Sequence, residues 1–222
     1  KRQSYIDMLR RNMVDGVIVN SLNIGAEAYA EMGLSLVGID CDLGETSVQI
    51  ASDSYGIGEL ATRRLIDDGC SRILCLRNNS RMRMPANKRT DAYHDVVEQA
   101  GLPALVREVE FVKSDDEKSA VVAKILDENP DIDGIFAGDD TMAAICLNVM
   151  KRRGLSAPDD IKVVGADGAR RTMTFMPDLT TVRQDIDRIG ELAAQSIIAL
   201  VNGEKPESNT KLPVELIEGK TA

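Results

Sequence analysis

The stretch Gly134-Ile135-Phe136-Ala137-Gly138-Asp139-Asp140-Thr141-Met142 decides the fold. Four uncharged residues run into a Gly-Asp-Asp turn, and beyond it Met142, Ile145, Cys146 and Val149 recur at i, i+3, i+4 and i+7. A short continuous apolar run reads as a strand covered on both faces, and the spacing after it as an amphipathic helix. The same pattern extends in both directions. Val17–Val19, Leu36–Ile39, Ile73–Leu76 and Ile161–Val164 are further strand candidates. Tyr93, Val96, Val97 and Ala100 mark one more helix, and Ile189, Leu192, Ala193 and Ser196 another. Gly69, Gly101 and Gly154 follow three helices, where a residue with positive φ closes the last turn. After Val182 a helix runs to about Val201, a polar stretch covers 202–209, and a last strand spans Lys211 to Ile217. Strands alternating with helices predict an α/β fold with parallel sheet.

The chain has 222 residues, 43% hydrophobic and 28% charged, which is globular chemistry with room for one large domain or two lobes. Lys and Arg number 27 against 36 Asp and Glu, a net charge of −9. Such a surface repels phosphate backbones and anionic lipid, so these residues are not expected to grip nucleic acid or a membrane. Cys41, Cys70, Cys75 and Cys146 are dispersed and His94 is the only histidine, so no zinc set is available. Dispersed thiols in a chain of this size read as reduced core residues of a cytoplasmic protein. No apolar run approaches the ~18 residues of a membrane span. Lys1 and Arg2 have no apolar segment behind them, so no signal peptide is expected.

Ligands of open α/β sheets bind beyond the carboxyl ends of the strands. Those positions read Asn20-Ser21, Asp40, Arg77-Asn78-Asn79, Asp139-Asp140 and Asp167. Asp140 also reads as the cap of a helix beginning at Thr141. As a set they describe a polar, carboxylate-rich cleft suited to a ligand with many hydroxyl groups. Asp139, Asp140 and Asp167 could also hold Mg²⁺, but no phosphate-binding loop accompanies them. Gly56-Ile57-Gly58-Glu59-Leu60-Ala61 fits the dinucleotide pattern G-x-G-x-x-A, which would make the chain a dehydrogenase. Against that, Asp53-Ser54-Tyr55 precede the first glycine where a strand should, and Ile57, Leu60, Ala61 and Leu65 form one helix face. That segment reads as the first turn of a packed helix. His94 reads as a solvated helix residue, and Arg81-Met82-Arg83-Met84 as a basic loop at a lobe boundary.

Specific strings then come together in order. Phe136–Ala144, the run from Pro158 to Asp167, Pro177-Asp178-Leu179-Thr180-Thr181-Val182-Arg183-Gln184, Val14-Asp15-Gly16-Val17-Ile18 and Leu212–Ile217 resemble the lactose-repressor (LacI/GalR) family. The resemblance spans nearly the whole chain. It implies two Rossmann-like lobes of the type I periplasmic-binding-protein kind, joined by three crossovers, with an effector in the cleft between them. Residues 1–77 plus 187–203 would form the N-terminal lobe, and 78–183 plus 210–222 the C-terminal lobe. The family's opening strand–helix–strand and its DNA-binding headpiece are not in this sequence, so it reads as a fragment. Carried over by position, Arg89, Asp139 and Asp167 would bind the effector from the C-terminal lobe, with Gln184 at the hinge. Asn20 and Asp40 would reach from the N-terminal lobe, and Phe175 would stack on the ligand. The effector would be a small molecule, a sugar or in some members a purine, with no cofactor. The chain would act as a homodimer that meets operator DNA only through the headpiece.

The departures are informative. Asp139 stands where asparagine is common, which favours donor-rich ligands; Ala92 replaces the usual glycine, Cys70 a histidine, Arg77 a glycine and Gly219 an arginine. A periplasmic sugar-binding protein of a transport system shares the architecture. Its sites usually stack sugars on aromatic faces, and this chain is 3% aromatic with no Trp.

Overall fold

The computed structural model describes residues 14–20, 34–41, 43–44, 47–79, 85–110 and 112–222. In chain order these carry β1 Gly16–Val19, β2 Ser35–Ile39, β3 Val48–Ser52, α1 Ser54–Asp67 and β4 Ile73–Asn79. Then come α2 Lys88–Gln99, β5 Leu105–Glu110, α3 Asp115–Glu128, β6 Gly134–Ala137 and α4 Asp140–Arg152. The last group is β7 Lys162–Asp167, α5 Arg170–Phe175, β8 Thr180–Gln184, α6 Ile186–Val201, β9 Asn209–Leu212 and β10 Val214–Ile217. The chain divides into two units, one within 1–52 and 185–212, the other 53–184 and 213–222.

The first unit holds a parallel sheet in the order β1-β2-β3-β9. Ile189 and Ala193 of α6 pack on one face against Val37, Val48 and Ile50. Val19, Leu36, Cys41 and Leu43 form a separate apolar cluster.

The second unit holds a six-stranded sheet in the order β10-β8-β7-β6-β4-β5. All neighbours are parallel except β10, which runs antiparallel to β8. Successive residues of β4 face opposite ways, as strand geometry requires. Leu74 and Leu76 join the core under α3 and α4, while Ile73 and Cys75 join the core under α1 and α2. Both faces are covered, which is why these strands read as continuous apolar runs. Gly69, Gly101 and Gly154 have φ of 87°, 69° and 74°, the left-handed conformation expected after the helices. All four cysteines are buried as thiols, and His94 is exposed on α2.

Several sequence-based expectations need correction. Residues 53–77 lie in the second unit rather than with the first, because β4 pairs with β5 and β6 and α1 packs under the same sheet. The single last strand, Lys211 to Ile217, is two. Pro213, with no N–H to donate to a ladder, separates β9, which pairs with β3, from β10, which pairs with β8. Residues 210–212 therefore belong to the first unit, not the second. Strands β3, β5 and β8 are additional to those the apolar runs mark. Arg107 and Glu108 of β5 are exposed on a sheet edge, so no continuous apolar run marks that strand. The cap of α4 is Asp139, whose carboxylate accepts from the Met142 amide, and Asp140 is already in the helix. Ser21 and Arg81–Met84 lie outside the described residues.

Candidate functional site

The carboxyl ends of β4, β6, β7 and β8 bring Asn78, Asp139, Asp167 and Gln184 to one edge of the second sheet. Arg89 arrives from the first turn of α2. Two contacts hold that helix in place. Tyr93 donates through its hydroxyl to the Ile73 carbonyl and accepts from the Leu105 amide, tying α2 to β4 and β5. Gly58 of α1 lies so close that a Cβ there would come within 2.1 Å of the Arg89 carbonyl oxygen. The glycine that suggested a dinucleotide motif is a packing glycine, inside a helix whose Ile57, Ala61 and Leu65 are fully buried.

The Arg89 side chain is 12% exposed. Nη1 donates to the Gly138 carbonyl at 2.5 Å and Nη2 to Asp167 Oδ1 at 3.1 Å. The buried Nε has no hydrogen-bond partner among the described residues. Gln184 donates to the same Asp167 Oδ1 at 2.6 Å. Asp167 itself has φ of 110°, a conformation rare outside glycine. Burial pushes its pKa up, with Asp139 adding to the rise, while the Arg89 charge and the bonds from Arg89 and Gln184 oppose it. Asp139 uses both oxygens within the protein: Oδ1 accepts from the Met142 amide at 2.7 Å and Oδ2 from Asn78 at 2.5 Å.

Asp140 is 3% exposed and turned inward. Its Oδ1 accepts from the Thr181 hydroxyl at 2.6 Å and its Oδ2 from the Gly168 amide at 2.9 Å. Burial lifts its pKa to about 6, helped by the charges of Asp167 and Asp139 and opposed by the Thr181 and Gly168 bonds.

The structure thus gathers Arg89, Asp139, Asp167 and Gln184 into one polar cluster. The remaining candidates stand elsewhere. Asn20 is exposed after β1, and Asp40, with φ of 49°, accepts from the Ser52 amide at 3.3 Å; both belong to the first unit. Phe175 is 76% exposed at the end of α5. Arg77 forms an ion pair with Glu108 across β4 and β5. In the sequence Asn78 reads as a strand-end residue and not as a site residue. The available signal was its place at that strand end, and the missing fact was its reach to Asp139.

The profile of the periplasmic-binding-protein-like domain matches residues 62–222. The sucrose operon repressor of Pediococcus pentosaceus is 32% identical over the whole of this chain and 68% of its own length. The chain belongs to the LacI/GalR family. A second relative, the ribose operon repressor of Halalkalibacterium halodurans, is 30% identical over all of this chain and 66% of its own length. Among solved structures, the complex of the transcriptional regulator CelR with cellobiose superposes with a TM-score of 0.88 at 27% identity. That superposition covers 99% of this chain and 69% of that one. The chain therefore spans about two thirds of the length of these LacI-family proteins and corresponds to their effector-binding core. These relatives are named as repressors and regulators of transcription, not as enzymes or transport proteins. Among the described residues, no helix is long and apolar enough to cross a membrane.

Proposed function

We propose that this LacI-family core senses a sugar in the cytoplasm and transmits its presence to a DNA-binding headpiece of the whole protein. The observation that carries the reading is the Arg89–Asp167–Gln184 network at the strand ends, beside Asp139. A guanidinium fork donates two parallel bonds to ring or hydroxyl oxygens, and two carboxylates accept from neighbouring hydroxyls. Two acids against one cation leave the cluster short of donors, which favours a polyol over a purine. Asn20 and Asp40 of the first unit are proposed as further contacts, and Phe175 as a face on which a ring could rest. The relatives' names, sucrose and ribose repressors, support the sugar class.

Regulation follows from differential affinity. A sugar that binds one arrangement of a repressor dimer better than another shifts the population toward it, and half-site spacing makes operator binding sensitive to the shift. The test is calorimetric titration with D-ribose, sucrose, cellobiose and hypoxanthine. One of the sugars should bind, and Asp167→Ala should abolish the heat while the melting curve stays cooperative. Binding of hypoxanthine alone, or wild-type affinity in Asp167→Ala, would overturn the reading.

A further inference from the structure

We infer that Asp140 is a positioning residue for effector binding: its buried carboxylate holds the turn after β7 in the conformation from which Asp167 meets Arg89 and Gln184. The inference rests on the sugar-binding reading of this site, and deepens it.

A buried carboxylate is costly unless hydrogen bonds compensate it. Asp140 pairs with no cation among the described residues, yet it is 3% exposed. What it has is a charge-assisted bond to each oxygen, from Thr181 of β8 and from the Gly168 amide just past β7. Room for the carboxylate exists because residue 165 is glycine: a Cβ there would stand 2.6 Å from Asp140 Oδ1. Gly168 has φ of 58°, and a Cβ there would meet Arg183 at 2.7 Å. Asp140, Gly165, Gly168 and Thr181 are thus four mutually dependent choices around one anion.

Their effect falls on Asp167. With φ of 110° it occupies a conformation that is costly for a residue with a side chain and persists only where its surroundings over-determine it. On one side its own carboxylate is held by Arg89 and Gln184; on the other, the next amide is held by Asp140. Because Asp140 follows Asp139 directly in the chain, one buried carboxylate ties together the two turns that carry the candidate ligand groups. A ligand then meets acceptors already set in place, which removes an ordering cost from binding.

The experiment compares wild type with Asp140→Ala, Asp140→Asn and Thr181→Val, using D-ribose and sucrose as probes in calorimetry. Asp140→Ala should weaken sugar binding at least ~10-fold while remaining folded by circular dichroism, and Asp140→Asn should recover affinity to within about three-fold of wild type. The asparagine can still accept from Gly168 and donate to the Thr181 oxygen, so rescue separates positioning from a need for charge, and Thr181→Val, which removes one bond without emptying the site, separates it from a need for bulk. Full affinity in a folded Asp140→Ala, or no rescue by asparagine, overturns the inference. Should the alanine variant not fold, Thr181→Val, which removes one of the two bonds, should still weaken binding, and unchanged affinity is the contrary result. If wild type binds neither probe, the turn is read without ligand by nuclear magnetic resonance, which tests the positioning role independently of the sugar reading. The HN–Hα coupling of Asp167, small at its native φ, should rise toward the extended value in the alanine variant, or in Thr181→Val, and stay small in the asparagine variant. An unchanged coupling in the variant that loses the bond disproves positioning.

Discussion

At the scale of single residues, Asp139 and Asp140 show how little chemical identity says about role. Both are aspartates, adjacent, at the mouth of one helix. Asp139 caps α4 and remains 2.5 Å from Asn78 at the sheet edge, whereas Asp140 turns into the core between β7 and β8. Burial lifts the Asp140 pKa from 3.8 to about 6, with Asp167 and Asp139 as the like charges that face it. The folded state therefore holds this proton more tightly than the unfolded chain does. The resulting stability is fully present below pH 3.8 and is lost as pH rises through about 6. Subtracting the Asp140→Asn unfolding free energy from that of wild type should give a difference that falls by up to about 3 kcal/mol between pH 4 and pH 7. Urea titrations across that range would check it, and a flat difference would show that Asp140 titrates as an ordinary surface carboxyl.

At the scale of elements, the site depends on how closely α1 lies against α2. Gly58 permits the approach to the Arg89 backbone, and Gly56 beside it sits over its own cap, Asp53, whose carboxylate accepts from the Gly56 amide at 3.1 Å. A methyl group at position 58 would have to push backbone, not a flexible side chain, and overpacking of that kind costs about 1–3 kcal/mol. Gly58→Ala should lower the melting temperature and also weaken ligand binding, since the helix that moves carries Arg89. Loss of stability with unaltered sugar affinity would separate the α1–α2 contact from the site.

At the scale of the whole molecule, the second unit is built around a doubly covered sheet and holds three of the four thiols. Burial raises the pKa of Cys70 to about 11 and of Cys75 and Cys146 to about 12. Cys41 is buried in the first unit, where its thiol donates to the Val19 carbonyl. Thiolate is the reactive form, so native protein at pH 7.5 should resist a disulfide reagent such as Ellman's, with all four thiols titrating together only once denaturant unfolds the chain. Because the units have separate cores, a staged release is also informative: Cys41 appearing before the other three would mean that the first unit opens by itself.

The fold class was legible in the sequence because it depends on local periodicity. Apolar runs such as Ile73–Leu76 and helix faces such as Met142, Ile145, Cys146 and Val149 mark strands buried on both sides and helices buried on one. The same local signal places Asp139 and Asp167 at strand ends, and resemblance to the family's motifs adds Arg89 and Gln184. Tertiary structure decided which sheet each strand joins. Nothing near β4 in the chain says that it pairs with β5 and β6 rather than with the first three strands, nor that Pro213 divides one apparent strand between two sheets. It also decided that Asp140 faces inward, because the hydroxyl and the amide that receive its charge come from Thr181 and Gly168, 41 and 28 residues away. Periodicity is written between neighbours, but a hydrogen-bond partner across a sheet exists only once the chain has brought distant segments together.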